Sequence, residues 1–163
     1  MGRCSNFGCS SWFNVCLGVL MSKHEQIIVD FIIKNPKWER FRLREMLNKT
    51  FKDIEKEEYG SDFNKEEWVE PFPTLNYIPD GFYIDVKNKT LHLLEVDGTS
   101  GTTENKLSKM IDLWWHIDSE SWSLTLTSIS VYSKAKSFMD DQHFAEIAFT
   151  REIELAKKER ASL

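Results

Sequence analysis

Three carboxylates, Asp80, Glu95 and Asp97, stand where strand geometry would bring them together. Asp80 precedes the run Gly81-Phe82-Tyr83-Ile84-Asp85, and Glu95 and Asp97 close the run Leu91-His92-Leu93-Leu94-Glu95-Val96-Asp97. Side chains alternate along a strand, so Glu95 and Asp97 project from one face. Asn88-Lys89 reads as a tight turn between the runs, which sets the start of the first beside the end of the second and brings Asp80 into the group. Like charges at such distances repel, and burying them unpaired costs several kcal/mol, so a divalent cation is the simplest compensation. Donor sets made only of oxygen favour Mg²⁺ or Mn²⁺ over Zn²⁺. Taken singly, Asp80 before Gly81 is also turn chemistry, and Asp97 could open the loop at Gly98. Glu95 follows Leu93 and Leu94 in an apolar strand, where an unpaired acid is costly.

The elements that must hold these residues follow from periodicity. Ile27, Ile28, Phe31 and Ile32 recur at helical spacing and stop at Asn35-Pro36. A second, longer helix carries the stripe Leu43, Met46, Leu47, Phe51 and Ile54. Residues 82–86 and 91–97 read as a hairpin. Residues 98–101 form a loop, and Thr102 or Thr103 caps a helix to about residue 118 with Leu107, Met110, Ile111 and Trp114 inward. Residues 124–132 are rich in β-branched side chains and read as a further strand. Its apolar phase shifts between Leu126 and Ile129, implying a bulge or burial on both faces. Phe144, Ile147, Ala148 and Leu155 mark a C-terminal helix. The order predicts an α/β (α+β) fold with a central sheet flanked by helices. It divides into an extension or upstream start (1–20), a helical N-terminal segment (21–70), a core (71–133) and a C-terminal helix packed on it (134–163).

Composition narrows the function classes. The 163 residues are 41% hydrophobic and 29% charged, enough apolar surface to fold as one domain and to exclude a disordered tail. No apolar run reaches the roughly 18 residues needed to cross a bilayer. The three cysteines, Cys4, Cys9 and Cys16, all precede the body, which therefore needs no disulfide and suits a reducing cytoplasm. A net charge of −5 argues against a protein that coats nucleic acid non-specifically. That charge is unevenly laid out. Residues 37–52 are locally +4, with Lys37, Arg40, Arg42, Arg44, Lys49 and Lys52 on what reads as a basic helix, whereas residues 53–70 are locally −6. The basic segment is either a solvated face or a surface for DNA phosphates, carried by Arg40, Arg42, Arg44 and Lys49. The four histidines have no metal-ligand spacing, and only one of the adjacent Trp114 and Trp115 can face a core.

Pro79-Asp80 followed by Glu95-Val96-Asp97 resembles the signature of the PD-(D/E)XK nuclease superfamily, which is Pro-Asp on one strand and acid-x-Lys on the next. The resemblance spans residues 72–133. It departs at the lysine, where this chain has Asp97. Some restriction enzymes of the superfamily carry an acid or amide there, and in others the lysine has moved to the following helix, where Lys106 and Lys109 stand. The run Glu95-Val96-Asp97-Gly98-Thr99 before a helical lysine also looks like the nuclease-like domain of some mobile-element replication proteins, which favours Lys109 over Lys106. The resemblance implies a restriction-endonuclease-like mixed sheet and a Mg²⁺-dependent (or Mn²⁺-dependent) deoxyribonuclease acting on DNA. In it Asp80, Glu95 and the Val96 carbonyl hold the metal, Asp97 is a further ligand or orients water, and a lysine stabilises developing charge. Glu45 is the candidate for the additional acid that the superfamily's first helix often supplies, and a homodimer is common among such enzymes.

Two other classes compete. A nuclease fold that has lost its lysine could serve as an inactive DNA-binding or protein-assembly module. The helices around Asn35-Pro36 could also begin a helix-turn-helix with Arg40, Arg42 and Arg44 facing phosphate.

Overall fold

A computed structural model describes residues 21–98 and 103–163. The expected extension at 1–20, and residues 99–102 of the loop, lie outside the described residues.

Among the described residues four α-helices flank a four-stranded mixed sheet, the α/β (α+β) class expected. In chain order they are α1 (Lys23–Lys34), α2 (Leu43–Tyr59), β1 (Gly81–Asp85), β2 (Thr90–Asp97), α3 (Glu104–Ser119), β3 (Ser123–Ser130), β4 (Lys136–Met139) and α4 (Asp141–Ala161). The sheet order is β1-β2-β3-β4; the outer pairs are antiparallel, and β2 and β3 are parallel, joined across α3. The hairpin turn closes as the sequence suggests. Asp85 accepts from the Asn88 backbone N–H at 3.2 Å and from its amide at 2.7 Å, and Lys89 takes the left-handed conformation at φ 48°. Thr103 caps α3 by accepting from the Lys106 backbone N–H at 3.3 Å.

The alternation of β2 divides the interior. Leu91 and Leu93 face a core built with Leu43, Leu47 and Phe51 of α2, Met110, Leu113 and Ile117 of α3, and Phe144 and Ala148 of α4. Leu94 and Val96 face the opposite way, into a smaller cluster with Ile28 of α1 and Ile129. Thus α1 and α2 lie on opposite faces of the sheet, and the helix-turn-helix expectation is corrected: the two helices do not pack on one another as that motif requires. The β3 phase shift has the second of its two explanations. Pairing with β2 runs unbroken from Thr90↔Ser123 to Asp97↔Ser130, so there is no bulge; Leu124 and Leu126 enter one core and Ile129 the other.

Three more expectations are corrected. The basic run is not one helix, because residues 37–42 form an irregular connection in which Glu39 bridges to Phe82, and Arg42 is left-handed at φ 66°. β4 was not foreseen; it is a four-residue edge strand, mostly exposed. Leu155 is 58% exposed, within a stretch of α4 that is exposed throughout from residue 152 on. Trp114 is buried and Trp115 is half exposed, as adjacency on a helix demands. Among the described residues no helix is long and apolar enough to cross a membrane.

Candidate active site

The site lies at the carboxyl end of β2, where α3 begins. Its centre is Glu95, whose neighbours in the alternation are Leu91 and Leu93, so its side chain enters the main core and is 0% exposed. Both its oxygens are engaged. Oε1 accepts from the Tyr77 hydroxyl and Oε2 from the Lys106 ammonium. Burial drives the Glu95 pKa up to about 7; the donors Lys106 and Tyr77 oppose that rise and the nearby charge of Asp80 adds to it. Burial, and then the charge of Glu95, hold the Tyr77 hydroxyl well above its ordinary range, so it remains a proton donor to the carboxylate.

Asp80 stands one step beyond the Gly81↔Leu94 pair, directly across the hairpin from Glu95. Its backbone N–H donates to the Leu94 carbonyl at 3.0 Å, and its Oδ2 accepts from the Val96 N–H at 2.7 Å, which fixes the carboxylate against the strand. His24, in the first turn of α1, brings Nε2 to 3.5 Å from the same oxygen. Gly81 follows because α1 approaches closely there: a Cβ would come within 3.3 Å of Leu94 Cδ2 and 3.4 Å of Ile32 Cδ1. Asp97 closes β2 on the same face as Glu95, is half-buried, and adds its charge to the field that raises Tyr77. Its side chain makes no hydrogen bond or ion pair among the described residues.

Lys106 and Lys109 are separated by the helix. Lys106 is the third residue of α3, beside the strand end, and it is the lysine that meets Glu95. Lys109, one turn on, is half-buried and makes no ion pair among the described residues, so the geometry reverses the preference between the two. Tyr77 is the residue beside Glu95 that sequence reasoning missed. It belongs to an irregular segment held by buried Asn48 of α2, which donates to the Phe72 carbonyl and accepts from the Phe72 N–H, both at 2.9 Å. A tyrosine two residues before Pro79-Asp80 was the available signal.

The outlying candidates are placed as follows. Arg40 pairs with Glu25 at 2.6 Å, which raises the arginine and lowers the glutamate pKa through their hydrogen bond. Arg44 donates to the Pro73 carbonyl at 3.0 Å and lies 3.9 Å and 4.0 Å from Glu45 and Glu70. Arg42 and Lys49 are exposed. Glu45 is exposed on α2 beside Arg44 rather than turned to Glu95. His92 meets Thr125 at 2.7 Å and stacks on Tyr83; His143 completes the α4 capping box with Asp140.

Among the described residues no three His, Cys, Asp or Glu side chains converge as a metal cage. Mg²⁺, however, is usually held by one or two carboxylates, retained waters and substrate phosphate rather than by an all-protein cage. Asp80 and Glu95, at opposed positions of the hairpin, match that donor number and type, with both Glu95 oxygens held within the chain by Tyr77 and Lys106. No family model, curated protein or solved structure matches the chain, so the reading of this site rests on its own geometry.

Proposed function

We propose that this chain is a metal-dependent nuclease that hydrolyses DNA phosphodiester bonds in the manner of the PD-(D/E)XK enzymes. The observation that carries the reading is a fully buried glutamate at a strand end, paired with a lysine from the following helix and facing an aspartate across the hairpin. Asp80 and Glu95 would hold Mg²⁺ or Mn²⁺, which supplies charge to polarise the scissile phosphate and acidify water. Tyr77 keeps one Glu95 oxygen fixed, so the carboxylate presents a single orientation. Lys106, one-third exposed, reaches both Glu95 and solvent, the position from which an ammonium can steady a water for attack and then offset charge on the phosphorane. It takes the part of the lysine missing at Asp97.

The test is nicking of supercoiled plasmid with Mg²⁺ or Mn²⁺. Wild type is expected to nick, and Asp80→Ala and Glu95→Ala to be inactive; nicking unchanged in both variants would remove the site assignment.

A second reading, an inactive nuclease-like module, is favoured by the two donors that already engage Glu95 within the chain. Titration calorimetry separates them: Mn²⁺ binding lost in Glu95→Gln supports the enzyme, and no binding by wild type supports the module.

A further inference from the structure

Tyr77 has a second face. The segment carrying it and the connection before α2 enclose a cleft of about 330 Å³, lined in part by Arg42, Arg44, Leu75, Tyr77, Ile78 and Pro79. Phe41 and Ile78 flank it while 69% and 81% exposed, two large apolar side chains brought to one rim from distant parts of the chain. Arg42 is held left-handed at φ 66° and ψ 41°, a strained conformation for a residue with a Cβ, of the kind that collects at functional sites. Its neighbours Arg40 and Arg44 have acidic partners, whereas Arg42 makes no ion pair among the described residues.

The cleft continues along α2. A second hollow of about 300 Å³ shares Arg44 and Glu45 with the first and adds Lys49, Lys52 and Trp68. Residues 45, 49 and 52 recur at helical spacing, so they share one face. The Lys52 ammonium lies 5.1 Å from the centre of the Trp68 ring, and the Trp68 indole N–H is buried with no partner among the described residues. Beyond Trp68 the surface turns acidic, with Glu55, Asp62 and Glu67 around the next hollow. A track therefore begins beside Tyr77, the residue that bonds Glu95, and stops at an acidic boundary. Glu45 and Glu70 along it are met by Arg44, which leaves Arg42, Lys49 and Lys52 as its cations. Phe41 and Trp68 each already carry a cation, Arg40 and Lys52, over one ring face.

Resting on the nuclease reading, we infer that this track binds a single, unpaired DNA strand leading from the site, one base stacking on Phe41 and Ile78 and another on Trp68, with phosphates on Arg42, Lys49 and Lys52. Aromatic faces serve only bases that are free to stack, and a paired duplex offers edges and phosphates instead. Each hollow lies at the small end of the range for ligand pockets, about 300–1,000 Å³, suiting single nucleotides. The substrate is thus single-stranded or splayed DNA.

The probe is a short fluorescein-labelled oligothymidylate, titrated with the full chain in EDTA and followed by anisotropy, against a duplex and an abasic strand of equal length. Wild type is expected to bind the single strand at least about 5-fold more tightly than either. Phe41→Ala should weaken it about 5-fold to 150-fold, the range of base–aromatic stacking. Arg42→Ala should lower the salt dependence by roughly 0.7 of a log–log unit, one phosphate contact on a single strand. Both residues are exposed, so the variants retain the fold, which circular dichroism verifies. Equal binding of single strand, duplex and abasic strand, with Phe41→Ala within twofold of wild type, overturns the inference. Plasmid nicking by wild type and by Phe41→Ala alike, with unchanged binding, would sink the track and leave the nuclease reading standing. No nicking by wild type, with oligothymidylate binding lost in Phe41→Ala, would sink the nuclease reading and leave the track.

Discussion

Replacing Glu95 with Gln removes one titrating group from the core and little volume, so it isolates the electrostatics of the site. In the folded chain the Glu95 pKa is raised from 4.5 to about 7, because burial outweighs the donors Lys106 and Tyr77. Unfolded, the carboxyl returns to its ordinary value. As pH rises above about 4.5 the unfolded chain releases this proton first, while the folded chain keeps it until about 7. Wild type therefore loses stability relative to Glu95→Gln across that window and stays level above it. A gap of about 2.5 pH units, at about 1.4 kcal/mol each, comes to roughly 3 kcal/mol. Urea unfolding of both proteins in EDTA, at steps through the window, measures the difference directly. If it is flat with pH, or if wild type gains on the variant as pH rises, then Lys106 and Tyr77 match or outweigh burial and the account of the site is wrong.

Lys106→Met should reduce plasmid nicking about 100-fold or more, the scale of removing one donor that stabilises developing charge, whereas Lys109→Met should stay within about threefold; equal effects would refute the division between them. Asp141 accepts from the Leu124 N–H at 2.8 Å and from the Trp114 indole at 3.2 Å, tying α4 to β3 and α3. Asp141→Ala is expected to lose about 2 kcal/mol in urea unfolding by stranding these donors, and Asp141→Asn less than half of that. The triple change Tyr77→Phe, Glu95→Leu, Lys106→Met should leave stability at pH 7 equal to or above wild type while abolishing nicking, because apolar replacement of a buried ion pair is often neutral or stabilising. A strong loss of stability there, read by the same unfolding assay, would make the group structural.

The helices were legible because their stripes meet a core: Leu43, Leu47 and Phe51 repeat at the spacing that faces one way, and all three are buried. The hairpin was legible because Asp85, Asn88 and Lys89 are residues that close a tight turn locally. What failed was decided over long range. β4 has only four mostly exposed residues and exists through its pairing with β3, which no local pattern encodes. Tyr77 lies in an irregular segment whose path is set by Asn48, 29 residues upstream, through the Phe72 backbone. The choice between Lys106 and Lys109 turned on where α3 starts relative to β2. Three residues carry a side chain about 4.5 Å along the axis and 60° around it, so the lysine in the first turn reaches the strand end and the next does not.

Among the described residues two polar side chains, Asn48 and Glu95, are buried, and they differ in what they satisfy. Asn48 bonds to backbone on both its groups, the N–H and C=O of Phe72, so its removal would strand main-chain atoms; its role in the fold is complete on inspection. Glu95 bonds only to side chains, Tyr77 and Lys106, neither of which needs it to satisfy a backbone group. The folded chain could lose all three polar ends together without orphaning a single main-chain atom. A buried carboxyl that holds no backbone group in place, set at a strand end opposite Asp80 and reached from solvent along a one-third-exposed lysine, is the feature on which the proposal of a ligand site rests. Under the proposed reading Asp80 and Glu95 would hold the cation, which would supply charge to a bound phosphate, and Lys106, now paired with Glu95, would be the ammonium available to offset the charge that develops there.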